Sequence, residues 1–312
     1  MSTISKTQAF SAKERECEIR FISSGPFWHM FTNGNLTQTL FCDTDDFIFG
    51  MNLTGYCASH FPDVHIYTFE VMNNHLHFIL QAEKTRAILF FGMLRNRLQR
   101  YYIKRSRCVD LSEFQCEFVP IENLNTLRNE IAYVNRNGFV VRPDCTPFSY
   151  PWGAGALFFN PFLKHEDAVA FKKLPVKVKR QLIHSHDIDA NGIDLTVYKG
   201  VILPSSYCHI KEAEGMFRDA HHYFHLISKA FEAFSEIARR LHESIFLSDE
   251  EMYAAVSSLT LKRFNTKQPI LLTAKDKIEV ARIMHYDFNA SNRQIKNILK
   301  LDAGTVDELF PK

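Results

Sequence analysis

The stretch from residue 27 to 137 constrains the fold most, because its apolar pattern changes period in a definite order. FWHMFT (27–32) alternates around aromatic residues and reads as a strand, since successive strand side chains face opposite ways. TDDFIFGMNLTGYCASHF (44–61) has helical spacing, with Thr44 as its N-cap. DVHIYTFEVM (63–72) is rich in β-branched and aromatic residues and reads as a second strand. NHLHFIL (74–80) follows as a third, across an Asn73–Asn74 turn. TRAILFFGMLRNRLQRYYIKR (85–105) is a long amphipathic helix, and FQCEFVPI (114–121) a fourth strand. NLNTLRNEIAYVNRN (123–137) is helical, with Gly138 expected to end it. The order β-α-β-β-α-β-α predicts an α+β fold, a ferredoxin-like antiparallel sheet with helices on one face.

Beyond this stretch the character changes. Residues 139–163 hold FSYPWG and GALFFNPF, which predict an irregular segment packed on the sheet. Residues 165–265 read as mostly helical, most clearly at 230–246, with VYKGVILPSSYCHI (197–210) as a strand-like interruption carrying a Pro-Ser-Ser turn. Residues 271–310 split into three short helices, with Thr273 and Ser291 as N-caps and LDAG as a tight turn. SNRQIKNILKLDAGTV resembles a helix-turn-helix, although many three-helix bundles share the pattern and bind no DNA. The expected division is therefore 1–163, 164–268 and 269–312.

A chain of 312 residues can hold two domains or one large one, and 46% apolar residues suffice for a sizeable core. No run approaches the roughly 18 consecutive apolar residues of a membrane span. The polar N-terminus lacks an apolar signal core, and seven cysteines without a CxxC pair argue against a zinc ribbon or a secreted disulfide framework. A reducing cytoplasm fits, with nucleoid association when DNA is bound. Net charge is only +2, but its distribution is uneven. RNRLQRYYIKRSR (95–107) sets Arg95, Arg97, Arg100, Lys104, Arg105 and Arg107 around Tyr101 and Tyr102, and KKLPVKVKR (172–180) is a second basic run. Basic groups interleaved with aromatics suit a nucleic-acid groove, since cations meet phosphates while rings stack on bases. A lone basic run is more often a solvated helix face.

The chemistry concentrates in MNNHLHFIL (72–80), where His75 and His77 sit two apart. On a strand they converge on one side, while Leu76, Phe78 and Leu80 face the other. Neutral imidazoles so placed can bind a metal, although two ordinary histidines at a strand end read equally well from spacing alone. In the helix before Gly138, Tyr133 and Asn137 are four apart and share a face. A phenol, an amide oxygen and two imidazoles would complete a phosphoryl-transfer site. Tyrosine is a poor nucleophile at neutral pH, with an unperturbed pKa of about 10, so its surroundings must activate it.

These motifs resemble those of the REP-associated tyrosine transposases, within the HUH single-tyrosine transposases. VMNNHLHFIL (71–80) is similar to the family's "VMPNHVHLL". WHMFTNGNLTQTLFCDTDDFIFGM (28–51) resembles its early strand, His, "LF" and acidic segment. YVNRN (133–137) resembles the start of its catalytic helix, and SYPWGA (149–154) its "YPWSSY". The resemblance covers roughly residues 20–160 in order. It implies Tyr133 as nucleophile and His75, His77 and Asn137 as ligands of Mg²⁺ or Mn²⁺. It also implies single-stranded, hairpin-bearing DNA as substrate, with the protein a monomer or homodimer. Arg95, Arg97, Arg100, Tyr101, Lys104, Arg105 and Arg107 would line the DNA path, and Arg293 and Lys296 would serve the helix-turn-helix. Two departures stand out. The usual proline after the motif Asn is missing, and Asn73 stands where relatives have proline before the histidines. Aligning on Asn135 instead would put Ile131 at the nucleophile position.

Other patterns compete less well. His184 and His186 form another HxH in a polar stretch. His221 and His225 share a helix face, but residue 222 is His where a metalloprotease HExxH would need Glu. Tyr101 and Tyr102 have Arg105 and Ser106 four residues on, neither an Asn nor a Gln. Two functions follow: a metal-dependent strand transferase, or a transposase descendant that binds DNA without cutting it. A water-using phosphoesterase built on His75 and His77 is a third.

Overall fold

The computed structural model describes residues 6–34, 39–140, 149–190, 192–228, 247 and 249–311. The described residues up to Ile227, Val140 excepted, form one compact unit, and those beyond it a second. The chain is mixed α+β with an antiparallel sheet. The contacts thus divide it elsewhere than at 163 and 268. Residues 164–227 pack with the first unit, and the helix expected over 230–246 lies outside the described residues.

The main sheet is built from β1 (Phe27–Thr32), β2 (His65–Val71), β3 (Leu76–Gln81) and β4 (Cys116–Ile121). Its order is β2-β3-β1-β4, every pair antiparallel. The pairings Phe31↔His77 and Phe27↔Ile121 put Phe27, His29, Phe31 and His77 on one face. Met30 pairs with Phe78 and Phe69 with Phe78, which makes the opposite face.

Both faces are buried, so both need covering, and this corrects the expectation of helices on one face. α3 (Lys84–Lys104) covers the Met30 face, where Phe90 meets Phe78 edge-on, and α2 (Thr44–Ala58) packs beside it. α1 (Lys6–Ser24) and α4 (Leu124–Val140) cover the other. Phe21 stacks on Phe27, and Glu130 and Tyr133 of α4 meet His29. The reason lies in β1 and β3, whose buried residues run nearly without a break instead of alternating with polar ones.

Two local expectations also change. The N-cap of α2 is Asp43, whose carboxylate accepts from the Asp46 N–H, so Thr44 is the first helical residue. α4 runs through Gly138 to Val140. A glycine inside a helix costs only about 1 kcal/mol, too little to end one by itself. Residues 150–154 do run along the sheet. Gly153 bridges Glu70, Val71 N–H donates to Trp152 O and Ala154 N–H to Phe69 O.

Residues 165–227 are less helical than their sequence suggests. They hold a three-stranded sheet of β5 (Val169–Ala170), β6 (Thr196–Tyr198) and β7 (Val201–Ile202), with α5 (Val176–Ile183), α6 (Ile210–Glu214) and α7 (Ala220–Ile227). Lys199 and Gly200, both at positive φ, make the β6–β7 turn. Asn52 on α2 ties this segment down. Its amide donates to Leu182 O and Gly200 O and accepts from Ile202 N–H. Gly55 permits the approach, because a Cβ there would lie 2.7 Å from Ile202 Cγ2.

The second unit contains α8 (Asp249–Phe264), α9 (Ala274–Tyr286), α10 (Asn292–Leu299) and α11 (Ala303–Leu309) around Val256, Val280, Met284, Ile295, Leu299 and Val306. Thr273 and Ser291 cap α9 and α10 as expected, Ser291 in a full capping box with Gln294. Asp302, within LDAG, caps α11. No helix among the described residues is long and apolar enough to cross a membrane.

α2 and α3 are joined by a buried carboxylate. Asp46 accepts from Arg107 Nη1 at 2.5 Å, Tyr101 Oη at 2.8 Å and Cys42 N–H at 2.9 Å. Burial alone would raise its pKa, but these three donors together hold it below the usual carboxylate value. With a depressed folded pKa, its stabilisation is present above about pH 4, the unfolded value, and fades as pH falls through the folded one. Asp46→Ala should cost about 3 kcal/mol in urea unfolding at pH 7, because it strands a partly buried Arg107. The difference from wild type should shrink as the pH is lowered.

Candidate functional site

The site is built where β1, β3 and α4 meet. Glu130 Oε2 lies 2.5 Å from His29 Nδ1, and His29 Nε2 lies 3.0 Å from His77 Nδ1. All three side chains are fully buried. The hydrogen-bond chain fixes the tautomers. A carboxylate oxygen only accepts, so His29 donates from Nδ1, and with that as its one ring proton it accepts at Nε2. His77 then donates from Nδ1, and its lone pair lies on Nε2, the nitrogen that would meet a metal.

His75 reaches the same tautomer by a separate route. Asn74 Nδ2 donates to Gly34 O at 2.7 Å, which turns Asn74 Oδ1 toward His75 Nδ1, also at 2.7 Å. His75 therefore donates from Nδ1 and keeps its lone pair on Nε2. Gly34 leaves the room for this ring, since a Cβ there would lie 2.7 Å from His75 Nδ1. The His75 and His77 rings stand 5.0 Å apart between centroids, nearly perpendicular. Burial pushes His75 down to about 4, and burial together with the neighbouring His75 and His29 pushes His77 well below its usual value. Both are neutral at pH 7 and chemically fit to ligate a divalent ion.

α4 carries Glu130, Tyr133 and Asn137 at i, i+3 and i+7, along one face. The Tyr133 ring lies 5.9 Å from that of His77 and 6.2 Å from that of His29, both edge-on, and is 3% exposed. Asn137 is half-buried on the same face. Asn135 is used elsewhere. It accepts from Thr68 Oγ1 and donates to Tyr223 Oη at 2.9 Å, while Ile131 is fully buried. Sequence reasoning missed His29 and Glu130. The available signals were a histidine on a strand position facing α4 and a glutamate three residues before Tyr133.

Most of the basic run is engaged internally. Arg95 donates to Leu111 O, Arg97 pairs with Asp187 and lies over the Tyr56 ring, and Lys104 donates to His184 O. Arg105 pairs with Asp43 and Arg107 with Asp46, while Tyr101 is buried and Arg100, Lys104 and Arg105 are exposed. The two basic runs nevertheless converge. Lys104 joins Lys177, Arg180, His184 and His186 around a groove of about 580 Å³ whose lining includes no carboxylate. In the second unit, Arg293 and Lys296 are exposed on α10, and Arg293 pairs with Asp249. α11, which follows α10 across Lys300, Leu301 and Asp302, carries Asp307 and Glu308 and no basic residue.

No family model, curated protein or solved structure matches the chain.

The relay makes a measurable prediction. Calorimetric titration with Mn²⁺ should show binding that His77→Ala abolishes. Glu130→Gln should weaken it by about tenfold or more, because a neutral amide no longer dictates the His29 tautomer. Unchanged binding in both variants would remove the histidines from metal chemistry.

Proposed function

We propose that the chain is a metal-dependent DNA strand transferase that nicks and rejoins single-stranded, hairpin-bearing DNA through Tyr133. The observation that carries this reading is the position of the Tyr133 ring, edge-on to His77 beside the His75–His77 pair. The strand order β4-β1-β3-β2 supports it, being the order of a ferredoxin-like sheet. So does the resemblance of the ordered motifs to the HUH single-tyrosine transposases.

When bound by His75 and His77, with Asn137 as a third ligand, Mg²⁺ or Mn²⁺ would polarise a phosphate oxygen and stabilise charge building on it. Tyr133 Oη, losing its proton, bonds to phosphorus, and the bond from phosphorus to the 3′ oxygen breaks. The 3′ oxygen takes up a proton, and the tyrosine holds the 5′ side of the strand. The phosphodiester's energy stays in the phosphotyrosine, so attack by a 3′ hydroxyl reverses the step without ATP. The groove around Lys104, Lys177 and Arg180, on the α3 side of the sheet, is suited to phosphates of the DNA away from the one attacked.

Burial of His77 and Tyr133 favours a second reading, a transposase descendant that binds DNA and leaves it uncut. A denaturing gel separates the two. Wild type and Tyr133→Phe are incubated with a labelled pool of hairpin-bearing single strands, with Mn²⁺ or with EDTA. The strand transferase gives a slow-migrating adduct that needs metal and is absent from Tyr133→Phe. Retardation on a native gel with no adduct from wild type would leave the binding protein as the reading. An adduct surviving Tyr133→Phe would move the nucleophile to another tyrosine.

A further inference from the structure

A second set of ligand-type side chains converges at the other end of the sheet. His65 opens β2, His209 directly precedes α6 and Glu212 lies within α6. One ligand atom from each lies within 4.8 Å of the others. The His65 and His209 rings stack with centroids 4.2 Å apart and planes 13° apart, and His209 Nδ1 lies 3.0 Å from Glu212 Oε1. His65 pairs with Gln81 and His77 with Glu70, so this set sits at the far end of the β2–β3 pair from the histidines described above.

The backbone prepares this arrangement. His209 N–H donates to Ile66 O at 2.8 Å, and Ile66 and Cys208 form a parallel bridge, so both histidines spring from paired main chain. His209 and Glu212 are three residues apart and share one side of a helical turn. Two imidazoles and a carboxylate are a zinc donor set, with water free to take the fourth position. Metal–ligand bonds of about 2.1 Å require ligand atoms roughly 3.4 Å apart in a tetrahedron. Rotation of these partly exposed side chains can supply the remaining closure without moving the backbone.

We propose that His65, His209 and Glu212 form a zinc site that fastens the segment after β7 to the edge strand β2. The site is independent of the strand-transfer reading and uses none of its residues. An imidazole-rich donor set selects zinc over Mg²⁺, which prefers oxygen ligands.

The test uses the full chain stripped of metal, titrated with Zn²⁺ by calorimetry and melted with and without it. To separate the two sites, the measurement is repeated in a His75→Asn, His77→Asn background. Zinc uptake and a rise in Tm of several degrees should persist in that background. His209→Asn should abolish both, and Glu212→Gln should weaken binding by about tenfold. If His209→Asn melts early without metal, the Glu212→Gln result decides, since that carboxylate is exposed. Absence of zinc uptake by the wild-type chain, or by a His75, His77 background that still melts cooperatively, would overturn the proposal. So would uptake and a Tm rise unaffected by both His209→Asn and Glu212→Gln.

Discussion

The rest of the first unit depends on the buried polar chain from Glu130 through His29 to His77. Placing a carboxylate and two imidazoles where no water reaches is expensive unless each is hydrogen-bonded, and here each bonds the next. The chain joins the two central strands β1 and β3 to α4. It thereby fixes which face α4 covers, and the turn of helix that brings Glu130 to His29 also brings Tyr133 to His77. The same face of α4 thus carries both the polar link to the sheet and the geometry on which the chemistry would rest.

The opposite side of the sheet solves a different problem with the same means. Asp46 draws Arg107 and the Tyr101 hydroxyl inward, Asp43 takes Arg105 and Asp187 takes Arg97. The charge that looks available for phosphate in the run 95–107 is thus largely committed to holding α2, α3 and the segment after α5 together. What remains for a polyanion is Arg100 and the groove where the end of α3 meets α5. Acids on other elements neutralise much of the positive charge that this run shows in the sequence.

Much of the first unit was legible because its signals are local. β1 has the bounds its alternation gives, and the helices over 84–104 and 124–140 follow their apolar spacing apart from the end of the second. Short side chains before α9 and α10 gave their caps. The features that escaped are tertiary. α1 begins in a polar stretch whose Cys17 and Phe21 meet the distant partners Gly215, Phe217 and Phe27 in the fold. The helices on both faces follow from strands buried on both sides, which alternation alone does not reveal. His75 and His77 were visible by spacing, but their tautomers depend on His29, Glu130 and Asn74. No sequence distance connects Glu130 to His29, 101 residues away.

The buried chain leaves His77, and Asn74 leaves His75, with the lone pair on Nε2. Long-range proton–nitrogen NMR on histidine-labelled protein at neutral pH reads ring tautomers directly. His29, His75 and His77 should all be found in the Nδ1–H form. The opposite result would have a clear physical form: a doubly protonated His29 donating from Nε2 to His77 Nδ1. The His77 proton would then sit on Nε2 and close that nitrogen to a metal, and the account of the site would fail.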